Sequence, residues 1–394
     1  MRKLGVSGVK LRKKSESLKP KENPRGLKKP TDKAFYRRVS SIRGKFGKFK
    51  INKRFCAMRS QPKISIIVPT HNRRQFLEAT INSVRAQSIT NWELIVIDDA
   101  SDDETWPWLR QLQNSQIKTF RLEQHSERTA GRNWGLEAAK GEFVLFLDDD
   151  DLLPVSALQA HLESFQRHPS ASGSVGCYMM FDENGAQQTF RYFRRRRLHD
   201  IWPDLLFGHI PVFGQCLFRA AVIKSAGGWD GEFIPIEDHQ LWLRIAPHGR
   251  VVMLPEVVLH YRVHAGQWRP RKLWKLMTRV RQRAVKKLEG ERRKHAERIM
   301  QAREHFREGE IFSGDGEAAR ALRSYLKAVR LQPGILRSPL TRAMIMPPIM
   351  KCLVGERLAN RQQPQFARAR VVDYHGEEQA VHSRSEREAS ASQR

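Results

Sequence analysis

Four consecutive aspartates, Asp148 to Asp151, close the apolar run at residues 141–147. Each adjacent carboxylate raises the pKa of its neighbours, so ionising all four is costly. A divalent cation removes that cost. Hard ions such as Mg2+ and Mn2+ take oxygen ligands, and Mg2+ commonly uses one or two protein carboxylates and completes its shell with substrate phosphates. Alternate side chains of an extended segment share a face. Asp148 and Asp150 are therefore expected to face a metal and a sugar or ribose hydroxyl, and Asp149 and Asp151 to face away, toward turn and capping hydrogen bonds. A second acidic stretch, IDDASDD at 97–103, offers Asp102 as a helix cap and Asp99 as an acceptor for a ribose or a base imide. Arg132 is either a counter-charge for a phosphate or a solvent-exposed helix arginine. Glu237-Asp238 opens an amphipathic helix after a glycine-rich aromatic loop. Those two acids either complement the helix dipole or supply a general base.

These residues need elements that deliver them to one place. ISIIVP (64–69), ELIVID (93–98), IKTFRLE (117–123) and EFVLFLD (142–148) read as buried strands. Helical patterns separate them at 73–88, 101–113 and 127–141. Alternating strands and helices predict an α/β fold with a mostly parallel central sheet covered by helices on both faces. In such sheets ligands bind beyond the carboxyl ends of the strands, where Thr70-His71-Asn72, Asp98-Asp99 and Asp148 to Asp151 fall. Further on, 174–181 and 214–220 read as strands, 237–249 as a helix and 251–264 as paired strands.

Together these stretches resemble the family 2 inverting glycosyltransferases of GT-A fold. The resemblance rests on SIIVPTHNRRQFLEATINSVRAQ, WELIVIDDASDDET, ERTAGRNWGLEAAKGEFVLFLDDDD and IEDHQLWLRIAPHGRVVMLPEVVLHYRVH, in that order. It implies a nucleotide-diphosphate sugar donor, a divalent metal (Mn2+ or Mg2+) and a hydroxyl acceptor on a glycan or lipid-linked molecule. It places Pro69, Thr70, Asn72, Asp99, Arg132, Asp148 and Asp149 around the donor. Asp150, Asp148 and His264 become the metal set, and Asp238, with Glu237 beside it, the catalytic base. Gly131 stands where the family usually has alanine. The basic loop Arg194, Arg195, Arg196 and Arg197 either grips a phosphorylated acceptor or is a solvated loop, and Trp229 is grouped with it on the acceptor side. The implied activity is hexosyl transfer in cell-envelope polysaccharide or lipopolysaccharide synthesis, at the inner face of the cytoplasmic membrane. Two other classes compete: a non-catalytic scaffold of the same fold, and RNA binding by the basic tail. A nucleotidyltransferase is disfavoured, because PTHNRRQ lacks a glycine-rich loop.

The composition sets the surroundings. The 394 residues carry a net charge of +29, and residues 1–60 hold 21 Lys/Arg against 3 Asp/Glu. That segment is too polar to build a core and is expected to be a disordered tail suited to anionic surfaces, with nucleic acid the less favoured partner. It has no apolar signal region. Residues 61–267 are expected to form the GT-A domain, 268–373 a helical region, and 374–394 a second disordered tail. In the helical region, 268–287 interleaves Trp268 and other apolar residues with cations, which suits either a helix lying on an anionic membrane face or one packing its apolar stripe on the catalytic domain, and 309–334 resembles one tetratricopeptide repeat. The most apolar stretch, 343–355, is too short and too interrupted by Pro347-Pro348 and Lys351 to span a bilayer. Cys56, Cys177, Cys216 and Cys352 are scattered and read as free thiols in a reducing compartment, so the chain is expected to be cytoplasmic and soluble or peripheral.

Overall fold

The computed structural model describes residues 62–264 and 273–354. The two tails, Cys56 and Trp268 lie outside them.

The first half alternates strand and helix: β1 (Ile64–Thr70), α1 (Arg74–Arg85), β2 (Trp92–Asp98), α2 (Thr105–Leu109), β3 (Ile117–Arg121), α3 (Glu127–Ala138) and β4 (Phe143–Phe146). There follow α4 (Ala157–Arg167), β5 (Gly173–Asp182), β6 (Gln187–Phe190), β7 (Arg197–His199), α5 (Trp202–Phe207), β8 (Cys216–Arg219), α6 (Ala220–Ser225), α7 (Glu237–Ile245) and β9 (Val251–Val263). The strands form one sheet in the order β3-β2-β1-β4-β8-β5-β9-β7, with β6 on β5. β3, β2, β1 and β4 are parallel, β8 is antiparallel to both β4 and β5, and β5 and β9 are parallel. The sheet is thus mixed, with its parallel half at the N-terminal side.

Both faces of β1 and β2 are apolar because both are covered. Ile64, Ile66, Val68, Leu94 and Val96 pack with Leu77, Ile81 and Val84 of α1 and Leu158 of α4. Ile67, Ile95 and Ile97 pack on the other face with Leu136 of α3 and Leu241 of α7. Gly135 lets α3 lie against the sheet: a Cβ there would sit 2.4 Å from Ile67 Cγ2.

Several boundaries differ from the pattern reading. Residues 251–263 form one continuous strand rather than a pair, because β9 follows β5 along its length. Its register shifts between Met253 and Val257, and Pro255 sits within that irregularity, where its missing N–H breaks no ladder bond. The helix expected at 101–113 shrinks to Thr105–Leu109, started by Asp103 Oδ1 accepting from Thr105 N at 2.8 Å. α7 ends at Ile245, and Pro247 lies in a short 3-10 turn.

The C-terminal helices are α8 (Trp274–Lys286), α9 (Gly290–Gly314), α10 (Ala318–Leu331) and α11 (Pro339–Val354). They share a core with the sheet: Phe207 of α5 lies 5.5 Å from Phe306 of α9, which lies 4.9 Å from Tyr325 of α10. α9 and α10 form a helical hairpin in which Gly309 faces Tyr325, with Ala321 and Ala328 buried beside it. Among the described residues no helix is long and apolar enough to cross a membrane. Cys177 and Cys216 are buried free thiols, and Cys352 is a half-buried one.

Candidate active site

The carboxyl ends of β1, β2 and β4 meet at one edge of the sheet. Thr70 is opposite Asp98 in the β1–β2 ladder, and Asp99 N donates to Thr70 O at 2.8 Å. β4 stops at Phe146, so the aspartates do not continue the strand. They form a turn in which Asp151 N donates to Asp148 O at 3.2 Å. The Thr80 hydroxyl of α1 lies within hydrogen-bonding distance of Asp149 O (2.9 Å) and Asp151 O (2.8 Å). The turn replaces the expected alternation of faces. Asp149 and Asp150 both bind Arg73, through Nη1 at 3.3 and 2.8 Å.

Each aspartate then has its own surroundings. Asp148 is half-exposed and accepts from Arg132 Nη2 at 2.7 Å. Burial works against its charge, but Arg132, with Arg128 and Arg73 behind it, holds its carboxyl below the usual range. Asp149 accepts from the Thr70 hydroxyl at 2.7 Å, and burial with the charge of Asp150 pushes it up to about 7. Asp150 Oδ2 lies 3.1 Å from His264 Nε2, and the His264 ring packs 4.8 Å from Phe76. Asp151 is fully buried and accepts from Arg262 N at 2.8 Å; burial and the charges of Asp150 and Asp148 drive it well above its ordinary value.

Arg132 ties this turn to the other acidic pair. It is buried on α3, one helical turn after Arg128. Its Nη1 stands 3.5 Å from Glu237 Oε1 and 3.6 Å from Asp238 Oδ1, at the start of α7. Arg128 Nε also donates to Glu237. Asp238 is half-exposed, yet its Oδ1 is buried with no hydrogen-bond partner. Desolvation, opposed by Arg132 and reinforced by Glu237 and Asp148, pushes Asp238 up to about 7. Glu237 is buried and held by two guanidinium groups, those of Arg128 and Arg132.

On the β2 side, Asp99 accepts from Ser126 N at 2.8 Å, and its other oxygen lies 2.9 Å from His125 Nδ1. The rings of His125 and His71 lie 4.3 Å apart. Asn72, at φ 54°, uses its side-chain oxygen to accept from Asp102 N at 2.9 Å. It therefore shapes the loop, and Pro69 is buried beneath α3, 3.3 Å from where a Gly131 Cβ would stand.

Two expected acceptor residues have other roles. Trp229 is 3% exposed, and the Arg132 guanidinium lies 4.3 Å from its ring, so it is the floor under Arg132 and presents no face to an acceptor. Its backbone is fixed by reciprocal bonds with the Asn133 side chain, both 2.8 Å. Arg196 is tied to Glu163 at 2.9 Å and Glu256 at 2.8 Å, a structural clamp. Arg194, Arg195 and Arg197 are exposed.

Arg73, Arg128 and His125 escaped the sequence reading. Arg128 precedes Arg132 by four residues, so helical spacing alone puts both on one face. Among the described residues no group of three or more His, Cys, Asp or Glu side chains is arranged so that it could hold a metal ion.

Residues 65–225 match the family model described as Glycosyl transferase family 2. The chain is 36% identical over 127 residues to the putative teichuronic acid biosynthesis glycosyltransferase TuaG of Bacillus subtilis, covering 32% of this chain and 50% of the relative. It is 26% identical over 206 residues to UDP-Glc:alpha-D-GlcNAc-diphosphoundecaprenol beta-1,3-glucosyltransferase WfaP of Escherichia coli, covering 52% of this chain and 78% of the relative. The match thus spans only half the length of TuaG. The crystal structure of S. aureus TarS 1–349 in complex with UDP-GlcNAc superposes with a TM-score of 0.52 at 20% identity, over 76% of this chain and 90% of that one. Arg132 and the Asp148 turn therefore lie within the segment that matches the family 2 glycosyltransferase model, in a chain whose mixed sheet and flanking helices have the GT-A fold.

Proposed function

We propose that the protein is a metal-dependent inverting hexosyltransferase that moves a sugar from a nucleotide-diphosphate donor to a hydroxyl of a glycan or lipid-linked acceptor, in cell-envelope polysaccharide or lipopolysaccharide synthesis. The observation that carries this reading is the Arg132 junction, which joins the Asp148 turn to Asp238 through one guanidinium group. On this reading donor binding and proton removal occur side by side.

Asp99, held by His125 and the Ser126 N–H beside the paired His71 and His125 rings, would contact the nucleoside. Asp150 and His264, 3.1 Å apart, and half-exposed Asp148 on the same turn are the oxygen and nitrogen donors that would hold a divalent ion, once Asp150 and Asp148 turn from Arg73 and Arg132 toward it. Mn2+ or Mg2+ held there would supply positive charge to the departing diphosphate. Asp238 takes the proton of the acceptor hydroxyl. The hydroxyl oxygen bonds the anomeric carbon from the face opposite the diphosphate, and the bond from that carbon to the diphosphate oxygen breaks. One displacement inverts the configuration and needs no covalent intermediate. An Asp238 near 7 is well matched to this step, because a base works best when its pKa lies near the working pH. Lipid-linked acceptors of the kind named for WfaP would bring the enzyme to the inner face of the cytoplasmic membrane as a peripheral protein.

A panel of nucleotide sugars, read first by thermal stabilisation and then by transfer with Mn2+, tests the reading. Asp238→Asn should keep donor-induced stabilisation and lose at least about a hundredfold in transfer. Wild-type transfer should rise with pH through about 7, as Asp238 gives up its proton. Full transfer by Asp238→Asn would overturn the assignment.

A further inference from the structure

We infer that the outer face of the last two helices, α10 and α11, docks on an anionic lipid bilayer. From Ala318 to Val354 the chain carries seven cations (Arg320, Arg323, Lys327, Arg330, Arg337, Arg342 and Lys351) and no aspartate or glutamate. All seven are exposed; Arg320 pairs with Glu317, just outside the stretch.

The second observation is apolar. α11 is hydrophobic on both sides. Ile345 and Ile349 are buried in the core, while Met346, Met350 and Leu353 are 38%, 39% and 57% exposed. Positions 342, 346, 350 and 353 follow the helical repeat, so Arg342 heads the same outer stripe as the three apolar side chains. On α10, Leu326 is 54% exposed beside Lys327. A helix surface that combines an apolar stripe with cations and lacks carboxylates matches a headgroup layer. Its apolar side chains enter the acyl boundary and its cations meet lipid phosphates. A nucleic acid would leave Met346, Met350 and Leu353 without a partner. A second copy of this chain would set seven cations against seven. This surface lies outside the residues around Arg132 and does not depend on the catalytic reading.

Flotation of the full chain with vesicles of phosphatidylcholine, with and without phosphatidylglycerol, tests the inference. The cationic residues 1–60 will also favour anionic vesicles, but that attraction is screened by salt whereas apolar insertion is not. Wild type should float with phosphatidylglycerol vesicles and remain partly bound in high salt. Met346→Ser with Met350→Ser and Leu353→Ser should lower the high-salt partition coefficient by about tenfold or more. Arg323→Gln with Lys327→Gln and Arg330→Gln alters only surface charge, so it guards against misfolding. It should weaken low-salt binding and leave the melting temperature unchanged. The inference fails if wild type ignores phosphatidylglycerol, or if the apolar triple variant keeps wild-type binding in high salt. It fails equally if sedimentation without vesicles shows a wild-type dimer that the apolar substitutions convert to monomer, since a second copy would then be the occupant.

Discussion

Asp149 gives the sharpest test of the electrostatics at the turn. It is 6% exposed, and burial with the Asp150 charge raises it from 3.8 to about 7. A carboxyl whose folded pKa is raised binds more protons in the native state than in the unfolded one. Its contribution is therefore favourable at low pH and is lost as pH rises toward 7. The slope is about 1.4 kcal/mol per pH unit near pH 5 and falls to about half that at pH 7, so the native state loses about 2 kcal/mol over that interval. Asp149→Asn removes the titration and keeps the side-chain shape, at the cost of the 3.3 Å ion pair with Arg73. Urea unfolding of both proteins, free of donor and metal, should give similar stabilities near pH 5. By pH 8 the variant should be the more stable by about 2–3 kcal/mol. A stability difference that stays constant from pH 5 to 8 would refute the claim that this carboxyl is held protonated by its surroundings.

Other expectations concern packing and the arginine junction. Gly135→Ala would place a Cβ 2.4 Å from Ile67 Cγ2 and 2.9 Å from Ile97 Cδ1, so denaturant unfolding should show a loss of about 1–3 kcal/mol. Arg132→Lys keeps one charge but cannot span Asp148, Glu237 and Asp238 with a planar fork, so transfer should fall at least about a hundredfold. In the same transfer assay, chelation of divalent ions should stop wild-type turnover, and added Mn2+ should restore it.

The strand-and-helix order was legible because its cause is local. ISIIVP and ELIVID are apolar on both faces since helices cover both, and α1 shows its buried stripe at Leu77, Ile81 and Val84. The acidic positions of the site were legible for a related reason: residues that follow buried parallel strands must emerge at the same edge of the sheet. Asp98 and Asp148 could be assigned to that edge from spacing alone. Their partners could not. Arg132 meets Asp238 across more than a hundred residues because α7 packs on the same sheet face as α3, which no periodicity within either segment records. Arg73 joins Asp149 to Asp150 only because the chain turns after Phe146, where continued strand geometry would have parted them. Trp229 and Arg196 look like ligand residues in a loop. Burial under Arg132 and clamping by Glu163 and Glu256 give them structural roles instead. Residue chemistry and local periodicity are written along the chain, so the sequence by itself determined the layered α/β architecture and the edge where the acids gather. Which charge neutralises which, and hence which acid keeps its proton near pH 7, depends on distances between segments far apart in sequence, and only the tertiary packing sets those.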